Sequence, residues 1–391
     1  MITFEQALQI VESSVTPLAA ESIPLTRSLN RILAREVHAD SDMPPFNKAA
    51  MDGFACRKAD LGNVLDVVDE IPAGGIPKKT IGDNQCARIM TGAMVPGGAD
   101  FILMKEHTEN VASGRIRRIL VSEHENICYK GEDVRAGDII LFPGTRLLPP
   151  HLAMLAFVGC VFPIVYRMPA IGVLSTGNEL VDPALKPGAG KIRESNGSQL
   201  KAQAEQMGLS ADYLGIAPDD EDILYGMMVK ALEKYEVVLI SGGVSVGDYD
   251  YVPAVLSRLN VEPLFHGMNV KPGKHLLFGK RKDRYVVGMP GNPVSSLVQF
   301  EVLVKPLLNR LMGYTGRPLW LPVPLEETYK RNRHDTLFFI PVDLTEHGTA
   351  LPLEYHGSAH IHAYIKAKGI MEIPVGVNEI KKGEMVHVRP L

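Results

Sequence analysis

A chain of 391 residues exceeds one ordinary domain, and about two to four are expected. Apolar residues make up 46%, enough for several cores, and a net charge of −4 gives no nucleic-acid or membrane signal. Cys56, Cys86, Cys128 and Cys160 form no CxxC pair and read as free thiols of a reducing compartment.

The N-terminus shows neither a basic n-region nor an apolar h-region, and Thr3 and Gln6 stand in capping-box spacing. Phe4, Leu8, Val11 and Val15 recur at helical spacing, which predicts an amphipathic helix over 3–15. Residues 27–39 accommodate a strand and short turns. Met43-Pro44-Pro45-Phe46 then forces extended backbone into Ala50-Met51-Asp52-Gly53. From 54 to 140, β-like runs at 64–71, 85–90, 101–109 and 115–121 alternate with glycine turns. No long helical period appears there, so this region is a β-rich domain. It carries two small-residue loops, 91–100 and 130–137. The most apolar stretch, 151–165, is broken by Gly159 and Pro163 and is too short to cross a bilayer. The expected location is cytoplasmic.

Residues 170–313 read as a doubly wound α/β domain. Strand-like runs at 171–174, 213–216 and 237–240 alternate with helical stretches. Asn196 is placed to cap a helix through Met207, stopped by Gly208. Asp219 is placed to cap the next, with Asp220, Glu221 and Asp222 at its start. Then comes Ser241-Gly242-Gly243-Val244-Ser245-Val246-Gly247-Asp248-Tyr249-Asp250, followed by a helix over 251–259. Strand, small-residue loop and helix make a phosphate-sized cradle, because glycines let N–H groups approach an anion and a helix start is partially positive. No Gly-Lys-Ser/Thr follows, so this is not a Walker A loop. Asp248 and Asp250 beside a phosphate call for a cation between them, Mg²⁺ being the usual one. A plain glycine-rich turn is the competing reading. Lys271-Pro272-Gly273-Lys274 precedes a β pair at 276–278 and 285–287, and Pro290-Gly291-Asn292-Pro293 introduces a helix to about residue 312. Residues 318–324, with Pro318, Pro322 and Pro324, read as a linker to a small C-terminal β domain.

Four loops, 175–179, 219–222, 241–250 and 290–296, follow strands, and open α/β sheets bind ligands at the carboxyl ends of their strands. One cleft would then collect backbone donors, hydroxyls, Glu179, Asp250, Lys271 and Lys274. Cations and donors hold phosphate, and carboxylates hold Mg²⁺. No Gly-x-Ser-x-Gly elbow with a triad partner points to a serine hydrolase. Plainer readings stand beside these: Asp219 and Asp222 as helix-cap acids, Lys271 and Lys274 as solvated turn lysines. His360 and His362 would share one face of a strand and could bind metal, but with no third ligand they read as a surface pair.

The loops together carry a resemblance. Pro44-Pro45-Phe46 with Ala50-Met51-Asp52-Gly53-Phe54-Ala55, Thr91-Gly92-Ala93 through Gly98-Ala99-Asp100, Gly131-Glu132-Asp133 and Ser175-Thr176-Gly177-Asn178-Glu179-Leu180 occur in order. Ser241-Gly242-Gly243-Val244-Ser245-Val246-Gly247, Lys271-Pro272-Gly273-Lys274 and Pro290-Gly291-Asn292-Pro293-Val294-Ser295 follow them. This series resembles the molybdopterin molybdenumtransferases and is similar to the E domain of gephyrin. The resemblance implies insertion of molybdate into adenylylated molybdopterin with release of AMP, aided by Mg²⁺. It implies a homodimer whose cleft joins the α/β domain of one chain to the β-rich domain of the other, and a molybdopterin adenylyltransferase as supplier of substrate. Family residues carry over as Asp52, Thr91, Asp133, Glu179, Asp250, Lys271, Lys274, Pro290 and Pro293, plus either Asp219 or Asp220. Ser175, Thr176, Gly177, Ser241, Gly242, Gly243, Ser245, Gly247, Gly291, Asn292 and Ser295 fall in the substrate-binding loops. Glu179 and Asp250 would hold the metal.

The implied fold is α/β and β multidomain. Residues 1–19 with 169–317 form the doubly wound molybdopterin-binding domain, 20–45 with 138–168 a linking domain, 46–137 the β-rich domain and 318–391 the C-terminal β domain. One departure is that Ala359-His360-Ile361-His362 follows Gly357-Ser358 where the family often has serines, which points to a tungstate-preferring insertase as an alternative. A molybdopterin adenylyltransferase would not need the domains ahead of 169. A non-catalytic scaffold would not need Asp52, Glu179 and Lys271.

Overall fold

The computed structural model describes residues 1–245, 250–355 and 357–391. Gly247 and Asp248, both expected at the cradle, lie outside the described residues.

The 237–240 run shows how the sequence builds the central layer. Side chains alternate across a strand. Val237 and Leu239 therefore enter one buried cluster while Val238 and Ile240 enter the other. A strand apolar on both faces must be covered twice, as parallel sheets are. The sheet contains β1 (Ile171–Thr176), β2 (Ala211–Ala217), β3 (Val237–Ser241), β4 (Glu262–His266), β5 (Leu277–Arg281) and β6 (Arg284–Met289). Its spatial order is β2-β1-β3-β6-β5-β4. The first four in that order run parallel, and β5 and β4 add an antiparallel margin. Helices Glu221–Lys234 and Val252–Arg258 cover one face through Leu224, Met228 and Val255. Helix Asn196–Gln206 and the long helical stretch 293–311 cover the other. That stretch contains a π segment, Phe300–Val304, that is buried throughout.

The N-terminal helix, Phe4–Ser14, joins this second face through Phe4, Ala7 and Val11. Its capping box is formed: Gln6 N–H donates to Thr3 Oγ1 at 3.2 Å, and Thr3 N–H donates to Gln6 Oε1 at 2.9 Å. Phe4 also meets Phe339 edge-on at 5.6 Å between centroids, so the helix touches the C-terminal sheet as well.

The 53–118 region forms its own six-stranded mixed sheet, with Gly53–Cys56 between Phe101–Met104 and Gln85–Ile89. The expected single run over 101–109 is broken: a 3-10 turn, Lys105–His107, separates Phe101–Met104 from Thr108–Ala112. Around Leu33, Leu147, Leu155 and Val165 a third core gathers short strands and a helix, Pro149–Phe157, that the sequence reading did not mark. The C-terminal sheet runs Val270–Lys271, Leu337–Leu344, Gly369–Ile373, Met385–Pro390, Leu321–Pro324. Part of the expected linker is thus a strand. Leu321–Pro324 lies at the sheet's edge, where proline costs no ladder bond. His360 and His362 are not on a strand either. His360 precedes a 3-10 turn, Ile361–Ile365, where each residue advances by about a third of a circle, so the two do not share a face. No helix among the described residues is long and apolar enough to cross a membrane.

Candidate functional site

At the carboxyl ends of β1, β3 and β6 the backbone turns tightly. Gly242 takes φ +95°, and the Thr176 carbonyl comes so close that any side chain there would meet it. Glycine is required at such a position on both counts. Gly177 (φ +148°) likewise has the Glu179 carboxylate lying over it.

Beneath this floor runs a polar network. Asn196 does not cap its helix; Ser195 stands at the cap position without a side-chain bond. The Asn196 amide is instead buried and donates to Ser241 Oγ at 2.7 Å and to the Gly291 carbonyl at 2.8 Å. It thereby ties the loop after β3 to the loop after β6. Ser175 Oγ donates to Glu194 Oε1 at 3.0 Å, and Gly197 N–H donates to the same oxygen at 2.6 Å. Ser175 and Ser241 are buried, so they sit beneath the cleft and do not line it.

The two aspartates that sequence left open have separate tasks. Asp220 is the helix cap, its Oδ1 accepting from Asp222 N–H at 3.0 Å and Ile223 N–H at 2.9 Å. Asp219 accepts from Asn178 N–H at 2.9 Å, while its own N–H donates to Asn178 Oδ1 at 3.2 Å. That reciprocal pair locks the 176–179 loop and puts Asp219 in the wall of the cleft.

The resulting cleft has a volume of about 360 Å³. Thr176, Gly177, Gly242, Gly243 and Ser245 line it together with the carboxylates of Glu179, Asp219 and Asp250. A second cleft of about 390 Å³ adjoins it and is lined by Lys271, Lys274, Ser295 and the C-terminal residues Tyr355, Gly357 and Ser358. His275, Pro290 and Asn292 line both. Asn292 Nδ2 donates to Ser358 Oγ at 2.9 Å, and Val294 N–H donates to the Ser358 carbonyl at 3.1 Å, so the C-terminal sheet is fastened to this wall. Burial pushes the Tyr355 hydroxyl up to about 12, so it remains a protonated donor. Behind the lysines, the buried Gln299 donates to the Pro272 carbonyl at 2.7 Å and fixes the 271–274 turn. Charge is thus divided: acids line the first cleft, lysines the second.

Asp52 and Thr91 lie elsewhere. Asp52 Oδ1 accepts from Thr91 N–H at 2.8 Å and Thr91 Oγ1 at 2.7 Å. These bonds hold its carboxyl below the usual carboxylate range. Asp52 lines a separate cleft of about 570 Å³ with Glu70, Arg88 and Lys105. Within one chain that cleft shares no lining residue with the other two among the described residues, and Asp133 lines none of the three. Pro293 starts its helix without lining either of the joined clefts.

Sequence reasoning missed His275, Tyr355, Ser358 and Asn196 as site groups. His275 carried a signal in its place beside Lys274, Asn196 one as a cap residue, and Ser358 one through the Gly-Ser pattern of the resemblance. Among the described residues no three His, Cys, Asp or Glu side chains gather as a metal cluster. A Mg²⁺ ion bound through one or two carboxylates and substrate phosphate needs no such cluster, and Glu179 and Asp250 on one cleft suit that mode.

Fold and clefts together define a multidomain α/β protein whose sheet end sets a carboxylate-lined cleft beside a lysine-lined one. Comparison with known proteins narrows the class. Residues 2–159 match the MoeA N-terminal region (domain I and II), 172–310 a probable molybdopterin binding domain, and 322–391 the MoeA C-terminal region (domain IV). A molybdopterin molybdenumtransferase of Staphylococcus aureus (strain Mu50 / ATCC 700699) is 33% identical over 397 residues, covering 99% of this chain and 95% of the relative. One from Staphylococcus epidermidis (strain ATCC 12228 / FDA PCI 1200) is 35% identical over 400 residues, with the same coverage. The crystal structure of the molybdopterin biosynthesis moeA protein from Pyrococcus horikoshii OT3 superimposes with a TM-score of 0.86 at 28% identity, covering 100% of both chains. The chain belongs to the molybdopterin molybdenumtransferase family.

Proposed function

We propose that this chain is a transferase that inserts molybdenum into molybdopterin, taking adenylylated molybdopterin and molybdate and releasing AMP. The observation that carries the reading is the joined pair of clefts, one walled by Glu179, Asp219 and Asp250 and the other by Lys271 and Lys274. An acid-walled cleft repels a bare phosphate, so a phosphorylated ligand there needs a divalent ion. Glu179 and Asp250 supply hard oxygen donors suited to Mg²⁺, which when bound neutralises phosphate oxygens and polarises phosphorus. Thr176 and the backbone N–H of Gly243 orient the phosphate, and Lys271 with Lys274 draws the oxyanion to the neighbouring cleft. The separation of the Asp52 cleft from the Glu179 cleft within one chain supports a homodimer in which a second chain brings Asp52 to the site. A cytoplasmic protein receiving its substrate from a molybdopterin adenylyltransferase fits the same scheme.

The test is AMP release from adenylylated molybdopterin by purified protein, with molybdate or tungstate supplied separately. Release should stop in chelator and return with added Mg²⁺. Undiminished release in chelator would remove the metal from the scheme, and no release under any condition would remove the activity.

A further inference from the structure

We infer that His275 is a substrate-contacting residue that holds a tetrahedral metal oxyanion of the molybdate and tungstate class where the two clefts meet. The inference deepens the proposed function and rests on it for the reaction, though not for the binding.

Among the described residues three line both clefts: His275, Pro290 and Asn292. Pro290 has no donor to offer. The Asn292 amide is already committed to the C-terminal segment through its bond to Ser358 Oγ at 2.9 Å, and its remaining N–H sits beside a carbonyl oxygen that repels an anion. The His275 imidazole is half-buried and takes part in no hydrogen bond or ion pair among the described residues. Among these three it is therefore the side chain whose donor is wholly uncommitted.

Its backbone position is fixed. The Lys274 carbonyl accepts from Met268 N–H at 3.0 Å, and the Leu276 carbonyl accepts from Gly267 N–H at 2.8 Å. Backbone is pinned on both sides of His275, and the buried Gln299 pins the turn just ahead of it. Only its side-chain torsions then remain to be ordered when it binds.

Charge sets which ligand it meets. His275 lines both the cleft of the carboxylates and the cleft of Lys271 and Lys274. A hard divalent ion prefers the oxygens of Glu179 and Asp250 to a ring nitrogen. An oxyanion drawn by the lysines comes to rest against the imidazole, on the boundary with the phosphate-holding cleft. His275 makes and breaks no covalent bond in this role; it holds the oxyanion next to the group it will join.

The test uses the full-length protein with molybdate and tungstate, each alone, in equilibrium dialysis. His275→Leu removes the donor, and His275→Gln keeps an N–H of similar reach. A hydrogen bond to a charged group predicts about 10- to 100-fold weaker oxyanion binding in His275→Leu. His275→Gln should stay within about threefold of the parent, with both melting temperatures within about 2 °C of it. In turnover the loss should appear in KM for the oxyanion more than in kcat. Equal binding by His275→Leu and the parent overturns the inference, as does failure of the parent to bind either oxyanion. An equal drop in both variants with a fall in melting temperature also overturns it, because the role would then be structural. His275-dependent binding without AMP release would uphold the inference and overturn the reaction.

Discussion

Replacing Asn196 with Leu should loosen the floor of the site without emptying it. Leucine has the same branched outline and is bulkier, so the change removes the donors and opens no space. It deletes the bonds to Ser241 Oγ at 2.7 Å and to the Gly291 carbonyl at 2.8 Å. Each is worth about 0.5–1.5 kcal/mol net, so the pair amounts to about 1–3 kcal/mol. At about 2–4 °C per kcal/mol for a domain of this size, the α/β transition should fall by about 2–12 °C. A multidomain chain does not unfold in one step, so calorimetry should resolve that transition from the others. Hydrogen exchange gives the local reading. Gly242 N–H is bonded to the Met289 carbonyl at 3.1 Å, and its peptide should exchange faster once the neighbouring loops part. Peptides over Phe101–Met104 should not change, since that strand belongs to another sheet. Unaltered exchange at 241–245 together with an unaltered α/β transition would refute the claim that Asn196 ties the two loops.

Asp52→Asn keeps an acceptor for Thr91 but loses the charge, so AMP release should fall to a small fraction while the melting temperature holds; parental turnover would leave Asp52 as a turn residue. Mixing Asp52→Ala with Glu179→Ala, each inactive alone, should restore part of the activity through exchanged subunits. Proven exchange without recovery would count against a shared site. Glu236 gives a pH prediction. Burial pushes its carboxyl up, but bonds from Ala170 N–H (2.7 Å), Arg167 (3.0 Å) and Arg284 (2.8 Å) outweigh this and leave it below its ordinary value. Its stabilisation is therefore complete above the unfolded-state pKa and is lost as pH falls through the lower folded one. The melting-temperature gap between the parent and Glu236→Gln should be constant near neutrality and close on acidification; a gap that widens in acid would contradict this.

Strands were legible where burial on both faces wrote an unbroken apolar run, as at 237–240, or where glycine turns bounded it. The helix Pro149–Phe157 escaped notice because its apolar residues form no stripe and it opens on two prolines, which a first turn tolerates. Cap identity was only half legible. Asp219 and Asp220 are alike by type, and backbone geometry alone assigns Asp220 to the helix and Asp219 to the loop. Asn196 is a favoured cap residue, yet two buried acceptors across the sheet outcompeted the helix end. The glycines and acids of the first cleft could be read from order along the chain. Tyr355 could not, because it reaches the second cleft from the C-terminal region more than 60 residues after Pro290 and no local pattern encodes that meeting; Ser358 was marked only through the resemblance.

The short strand Val270–Lys271 runs parallel to Leu337–Leu344, pairing Val270 with Leu337 and Lys271 with Phe338. The C-terminal sheet therefore borrows its margin from the segment that carries a site lysine. A graft that swapped residues 318–391 between relatives would have to bring a matching 270–271 with it, or leave that edge unpaired and Lys271 untethered. In recombination the two segments behave as one heritable unit despite the 66 positions that separate Lys271 from Leu337.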